Sequence, residues 1–227
     1  MRKRLVRKLD LERALAKIKP HTTPSAYLEQ YTITPEVAAE LLFIAAYVND
    51  DIIDKTIVDL GCGTGRLAIG SALLGAKGVV GVDIDKDALD IASKNAKILG
   101  VKKKTQWITA DINAIRGTFD TVVQNPPFGV QKRKADRKFL VKALKISRRI
   151  YSLHKSSEEY YGSKGPRPRS RSSFTSPSPF LKRFIEKCGG RVIGVYNMFM
   201  IIPRMFTFHK KRKHKFPIDL YVIEKVS

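Results

Sequence analysis

TIVDLGCGTGRLAIG, residues 56–70, carries the reading that decides the fold. A β-branched run ends at Asp59 and Leu60, three glycines at alternate positions follow (Gly61, Gly63, Gly65), and a helical pattern starts at Arg66. Glycines at such a bend admit φ values closed to other residues and let backbone N–H groups approach a ligand at a helix N-terminus. The spacing is GxGxG, not the GxGxxG of pyrophosphate binders. Immediately downstream, GVVGVDIDKDAL predicts a second strand closing at Asp83. A carboxylate about 20 residues beyond such a turn is placed for the ribose hydroxyls of an adenosine-containing ligand. A third β-like run ends in Ala110-Asp111-Ile112, which offers a further carboxylate and an apolar wall for an adenine.

Working outward, the chain alternates strand and helix patterns. Strands are predicted over 56–60, 78–83, 105–110, 119–124 and 151–154, and helices over 66–74, 85–99 and 136–150. Asp85 or Asp87 reads as a helix N-cap. Alternation of this kind predicts a mainly parallel sheet covered on both faces, an α/β fold. Two helices precede it, over 5–18 and 35–48, the second with Thr34 as cap and Pro35 in its first turn. Two more strands, 191–200 and 218–226, read as a hairpin with a long basic loop. Residues 156–180 are rich in Ser, Pro, Gly and Arg and predict a mobile, basic surface insertion.

The composition sets bounds. The 227 residues, 43% hydrophobic, suit one core. Two cysteines without CxxC spacing fit a reducing cytoplasm and predict no metal site. The apolar run 192–203 is interrupted at Asn197 and is too short for a membrane helix. The net charge of +22 is uneven: +6 over residues 1–20, −3 over 21–131 and +19 over 132–227. A near-neutral middle between basic flanks suits a small ligand in the centre and a polyanion held at the ends.

The fourth strand runs into QNPPFG, residues 124–129. Two prolines fix the chain as extended and leave carbonyl oxygens outside the sheet ladder, beside an amide and an aromatic ring. DLGCGTG, the strand-end Asp83 and Asp111, and NPPF together resemble class I S-adenosylmethionine-dependent methyltransferases that modify amino nitrogens. EQYTITPEVAA (29–39), YSLHKSS (151–157) and FHKKRKHKFPIDL (208–220) narrow the resemblance to the archaeal and eukaryotic enzymes that form N6-methyladenosine in small-subunit ribosomal RNA.

The resemblance implies a Rossmann-like, seven-stranded sheet of order 3-2-1-4-5-7-6 with the seventh strand antiparallel. It divides the chain into a basic helical extension and cofactor-closing segment (1–50) and a methyltransferase domain (51–227). Gln30 and Tyr31 would close over the methionine end of S-adenosylmethionine. Asp59, Gly61, Gly63, Thr64, Gly65 and Arg66 would line the cofactor, Asp83 would hold the ribose, and Asp111 with Ile112 would meet the adenine. Asn125, Pro126, Pro127 and Phe128 would form the acceptor site. Cys62 reads as a small packing residue in the turn.

RNA is the expected substrate, its phosphates tracked by Lys132, Arg133 and Lys134, by the run 142–149, and by Lys210, Lys211, Arg212 and Lys213. The exposed third strand invites strand addition, and the resemblance implies a small zinc-binding activator protein there, with Trp107 as the contact or, alternatively, packed under the chain's own N-terminal helices. Competing readings are glutamine methylation in a release factor, a non-catalytic RNA-binding assembly factor and, on the sheet alone, a nicotinamide oxidoreductase.

Overall fold

In the computed structural model, the structure describes residues 6–25, 32–128, 135–156, 173–203 and 213–226. Its strands are β1 (Thr56–Leu60), β2 (Gly78–Asp83), β3 (Thr105–Thr109), β4 (Phe119–Gln124), β5 (Ser147–Lys155), β6 (Ser173–Phe174), β7 (Gly190–Pro203) and β8 (Lys213–Lys225). They form one sheet in the order β3-β2-β1-β4-β5-β8-β7-β6. The first five pair in parallel, and β8 inserts antiparallel between β5 and β7. Without the two-residue β6, this is the predicted seven-stranded order.

The helices are α1 (Lys8–Ala16), α2 (Pro35–Phe43, continued by a π-helical turn, Ile44–Val48), α3 (Arg66–Leu73), α4 (Lys86–Ile98), α5 (Ala135–Ile146) and α6 (Pro179–Lys187). Their starts follow sequence rules. The Thr34 hydroxyl accepts the Val37 N–H at 3.4 Å, and Asp85 accepts the N–H groups of Asp87 and Ala88. Leu11, Leu15, Leu41, Leu42 and Ile69 build the core on one face of the sheet with Tyr151, Leu153 and Leu220. Leu140, Leu144, Leu181 and Ile185 build it on the other with Val122, Ile150 and Tyr221. Among the described residues, no helix is long and apolar enough to cross a membrane.

Three elements differ from expectation. The helix predicted over 136–150 ends at Ile146, and β5 starts at Ser147. The Ser147 hydroxyl lies within hydrogen-bond distance of the carbonyls of Ala143 and Arg149 at the bend, and Ile150 and Tyr151 become fully buried between β4 and β8. Tertiary pairing there overrides a locally helical pattern. The final hairpin is longer than predicted because β7 and β8 pair continuously out to Pro203 and Lys213. Finally, the end of the predicted insertion is ordered: β6 joins the sheet edge and α6 starts at Pro179, burying Leu181 and Ile185. Pro179 followed by that four-residue apolar spacing was the available signal. Residues 157–172 lie outside the described residues.

Trp107, the single tryptophan, turns inward from β3 onto the glycine turn. A Cβ on Gly81 would lie 2.4 Å from the indole and 3.0 Å from the Cys62 sulfur. Gly81→Ala should therefore cost about 1–3 kcal/mol, measured by urea unfolding followed on Trp107 fluorescence.

Candidate active site

The site forms where the parallel strands end. Leu60 of β1 stands opposite both Val82 of β2 and Gln124 of β4, so the glycine turn lies between the Asp83 strand end and the NPPF segment. Gly61, Gly63 and Gly65 all have positive φ (+69°, +51° and +85°). They differ in surroundings. A Cβ on Gly65 would meet the Trp107 ring at 2.6 Å, and one on Gly61 would meet Phe139 of α5 at 3.0 Å. A Cβ on Gly63 would have no other atom of the described residues within 4 Å. Two aromatic rings thus wall the turn, and the backbone is open to a ligand at Gly63.

Asp83 holds that opening in shape. Its two carboxylate oxygens accept the Gly63 N–H at 2.7 Å and the Asp85 N–H at 3.0 Å. Burial raises its pKa, and these backbone donors oppose the rise. A carboxylate oxygen has two lone pairs, so each retains capacity for a ribose hydroxyl. Ile84, which sequence reasoning passed over, follows Asp83 with 58% of its surface exposed. A large aliphatic side chain left open between two aspartates was the signal, and it offers an apolar wall to a purine. Asp111 is exposed, caps the short turn 112–114 through the Asn113 N–H at 2.8 Å, and is followed by buried Ile112.

Two predicted cofactor contacts have other work. Asp59 is buried and accepts the Ala68 N–H at 2.9 Å, capping the first turn of α3 in place of Gly65, which has no side chain to do so. Burial pushes its carboxyl up to about 8. Because the folded pKa exceeds the unfolded one, the folded state keeps a proton that the unfolded chain releases. Stability contributed by this group should fall as pH rises from about 4 to about 8 and then level off. Asp59→Asn keeps the acceptor for Ala68 and cannot ionise. Its gain over the parent should grow across that window to roughly a few kcal/mol, read from paired melting curves against pH.

Arg66 is the second. It points away from the glycine turn, and its buried guanidinium donates to the Ile18 and Ile33 carbonyls, tying down the chain on both sides of residues 26–31. Thr64 is buried, and its carbonyl accepts from Asn95, whose amide also exchanges bonds with both backbone groups of Lys19. Gln30 and Tyr31 lie outside the described residues.

On the acceptor side, Pro126 is buried and Asn125, Pro127 and Phe128 are half-buried. The Phe128 ring stands edge-on to Phe216 of β8, centroids 5.9 Å apart. Phe216 is a site neighbour that its place in a distant strand concealed.

The expected phosphate-tracking run 142–149 is corrected at two positions, Lys142 and Arg149, whereas Lys145 and Arg148 are exposed. Lys142 is buried and its ammonium donates to the Asn113 and Ile115 carbonyls, bracing the turn that follows Asp111. Arg149 pairs with Asp51 at 3.1 Å and with Glu224 at 3.6 Å. Lys132, Arg133, Lys134, Lys210, Lys211 and Arg212 lie outside the described residues, and of Lys213 only its backbone place in β8 is described.

The open glycine backbone, the strand-end carboxylate, the apolar wall of Ile84 and the sheet order together fit S-adenosylmethionine and define a class I S-adenosylmethionine-dependent methyltransferase. The profile of the ribosomal protein L11 methyltransferases (PrmA) matches residues 41–126. Relatives align over more of the chain. The zebrafish rRNA N(6)-adenosine-methyltransferase METTL5 is 38% identical over 65% of this chain and 74% of its own, and the Drosophila melanogaster protein is 32% identical over 94% of each. A crystal structure of a putative RNA methyltransferase, PH1948 from Pyrococcus horikoshii, superposes with a TM-score of 0.83 at 36% identity, covering 99% of this chain and 100% of that one. The chain belongs to the METTL5-type family of rRNA N6-adenosine methyltransferases.

Proposed function

We propose that this chain transfers the methyl group of S-adenosylmethionine to the exocyclic nitrogen of an adenosine in small-subunit ribosomal RNA. The observation that carries the reading is the register of Leu60 with Gln124, which sets Gly61 and Asn125 side by side at the mouth of one crevice. When bound, S-adenosylmethionine supplies an electrophilic sulfonium methyl group.

The chain's own residues have to orient a poor nucleophile, since the adenine amino lone pair is delocalised into the ring. The Asn125 side-chain oxygen and the Pro126 carbonyl are suited to accept its two hydrogens, which turns the nitrogen's lone pair toward the methyl donor. Phe128, steadied edge-on by Phe216, offers a stacking face to an extruded base. Catalysis is then orientation and charge complementarity with no covalent enzyme intermediate. The testing experiment is transfer of labelled methyl from S-adenosylmethionine to unmodified small-subunit RNA and particles, followed by nucleoside analysis. Label in N6-methyladenosine is the expected result. Label in release-factor protein instead would transfer the reading to glutamine amides, and cofactor binding without transfer would favour the assembly-factor alternative.

A small zinc-binding activator on β3 belongs to the same proposal. β3 ends the sheet and pairs only with β2 among the described residues. Its outward positions include Gln106 and Ile108, the latter 39% exposed. Trp107, the contact first expected, packs inward on the glycine turn, so strand addition and Ile108 would carry the interaction. Ile108→Asp should weaken co-purification of the activator and leave the chain's own folding intact. A chain that is monodisperse and fully active alone would remove the requirement for a partner.

A further inference from the structure

Beneath the acceptor loop lies a buried polar chain that the reading above does not use. Gln124, the residue before Asn125, is fully buried, and its Nε2 donates to the Ser152 hydroxyl at 2.9 Å. The Ser152 oxygen lies 2.8 Å from His154 Nε2. On the far side of the imidazole, Asp136 in the first turn of α5 stands 3.7 Å from Nδ1, an ion-pair contact longer than a hydrogen bond. Ser152 and His154 are themselves buried, so the arrangement gives no nucleophile access to substrate.

The donor and acceptor inventory gives this chain a direction. The Asp136 carboxylate favours the imidazole proton on Nδ1, which leaves Nε2 as an acceptor. Ser152 then donates to Nε2 and accepts from Gln124, and the Gln124 carboxamide is fixed with its nitrogen toward Ser152. The Gln124 side-chain oxygen is buried and has no hydrogen-bond partner among the described residues. Gln124 and Ser152 are register partners between β4 and β5, so the link crosses the sheet at the last strand residue before the acceptor motif.

We propose that Ser152 and His154 are positioning residues for methyl transfer, holding the Gln124 carboxamide, and with it the Asn125 loop, in one orientation as long as His154 Nε2 is the acceptor. This rests on the adenine-N6 reading. A proton on Nε2 would make His154 a second donor to Ser152, whose own hydrogen then needs a new acceptor. The Gln124 carboxamide oxygen meets that need only by reversing, which disturbs the strand end that aims Asn125.

Among the described residues, three groups besides Ser152 face the imidazole. Asp136 approaches from α5, Asp219 is the register partner of His154 on β8, and the Tyr221 ring stands edge-on at 5.4 Å. Asp219 is itself bound by the Ser156 hydroxyl at 2.8 Å and by the Asn197 amide at 2.7 Å.

The test compares the parent chain with Ser152→Ala and His154→Gln by RNA methylation kinetics, cofactor titration, melting temperature and imidazole ¹⁵N spectra. Ser152→Ala should lower kcat about 10-fold or more while cofactor Kd and RNA KM stay within about 2-fold. His154→Gln should likewise lower kcat while cofactor Kd and RNA KM stay within about 2-fold. At neutral pH the parent imidazole should carry its proton on Nδ1. A parental kcat in Ser152→Ala or in His154→Gln, or an imidazole with its proton on Nε2, would each overturn the proposal. If the parent labels no RNA, the adenine-N6 reading fails on its own. In that case, or if a variant melts below the assay temperature, the parent's imidazole spectrum still decides the hydrogen-bond chain.

Discussion

Asn125→Ala should reduce methyl transfer about 100- to 1,000-fold, the cost typical of deleting one fixed polar group that acts on the reacting atoms. Its cofactor affinity should remain within about 2-fold of the parent. The separation follows from the geometry. Asn125 extends β4 beyond Gln124, whereas the glycine turn and Asp83 extend β1 and β2, and the carboxylate that accepts the Gly63 N–H is that of Asp83. Removing the amide deletes one of two acceptors for the adenine amino hydrogens and leaves the nitrogen free to rotate out of line with the methyl donor. Single-turnover transfer of labelled methyl, paired with calorimetric titration of S-adenosylmethionine, separates the two quantities. An alanine variant with parental turnover would remove Asn125 from the reaction.

Asp83→Ala should have the opposite signature, weakening S-adenosylmethionine by about 10- to 100-fold, in line with roughly 1.5–3 kcal/mol for a hydrogen bond to a charged group. It also releases the Gly63 and Asp85 N–H groups that the carboxylate now accepts, so part of the loss comes from a slack turn. Asp83→Asn discriminates between these contributions. The amide has one oxygen, which can keep only one of the two backbone donors in place without a charge for the ribose. Its affinity should lie between those of the parent and Asp83→Ala. Equal affinity in all three proteins would place the ribose elsewhere. At saturating cofactor, both variants should recover more activity than Asn125→Ala, because their defect is in binding and not in aiming the acceptor.

The division of labour between sequence and structure can be followed residue by residue. The glycine turn, the strand-end Asp83 and the NPPF segment were legible because each depends on local backbone rules: positive φ, a strand terminus and rigid proline pairs. The cap roles of Thr34 and Asp85 were legible for the same reason. Asp59 and Arg66, adjacent to that turn in sequence, looked equivalent to its ligand-facing residues. Only packing distinguishes them, one serving α3 and the other the two carbonyls flanking residues 26–31.

Long-range neighbours could not be read at all. Phe216 reaches Phe128 across 88 positions of chain because β8 returns antiparallel beside β5. Lys142 sat in a run of cations that composition assigns to solvent, yet the fold turns it onto the carbonyls behind Asp111. The sequence by itself determined the class of fold, the glycine turn and the extended NPPF segment, since these are written in short-range conformational preferences and strand–helix periodicity. Tertiary structure alone decided which side chains face the crevice, which brace it from behind, and that Gln124, Ser152 and His154 form one buried line. Those relations depend on sheet register and burial, and neither is encoded in any local stretch of chain.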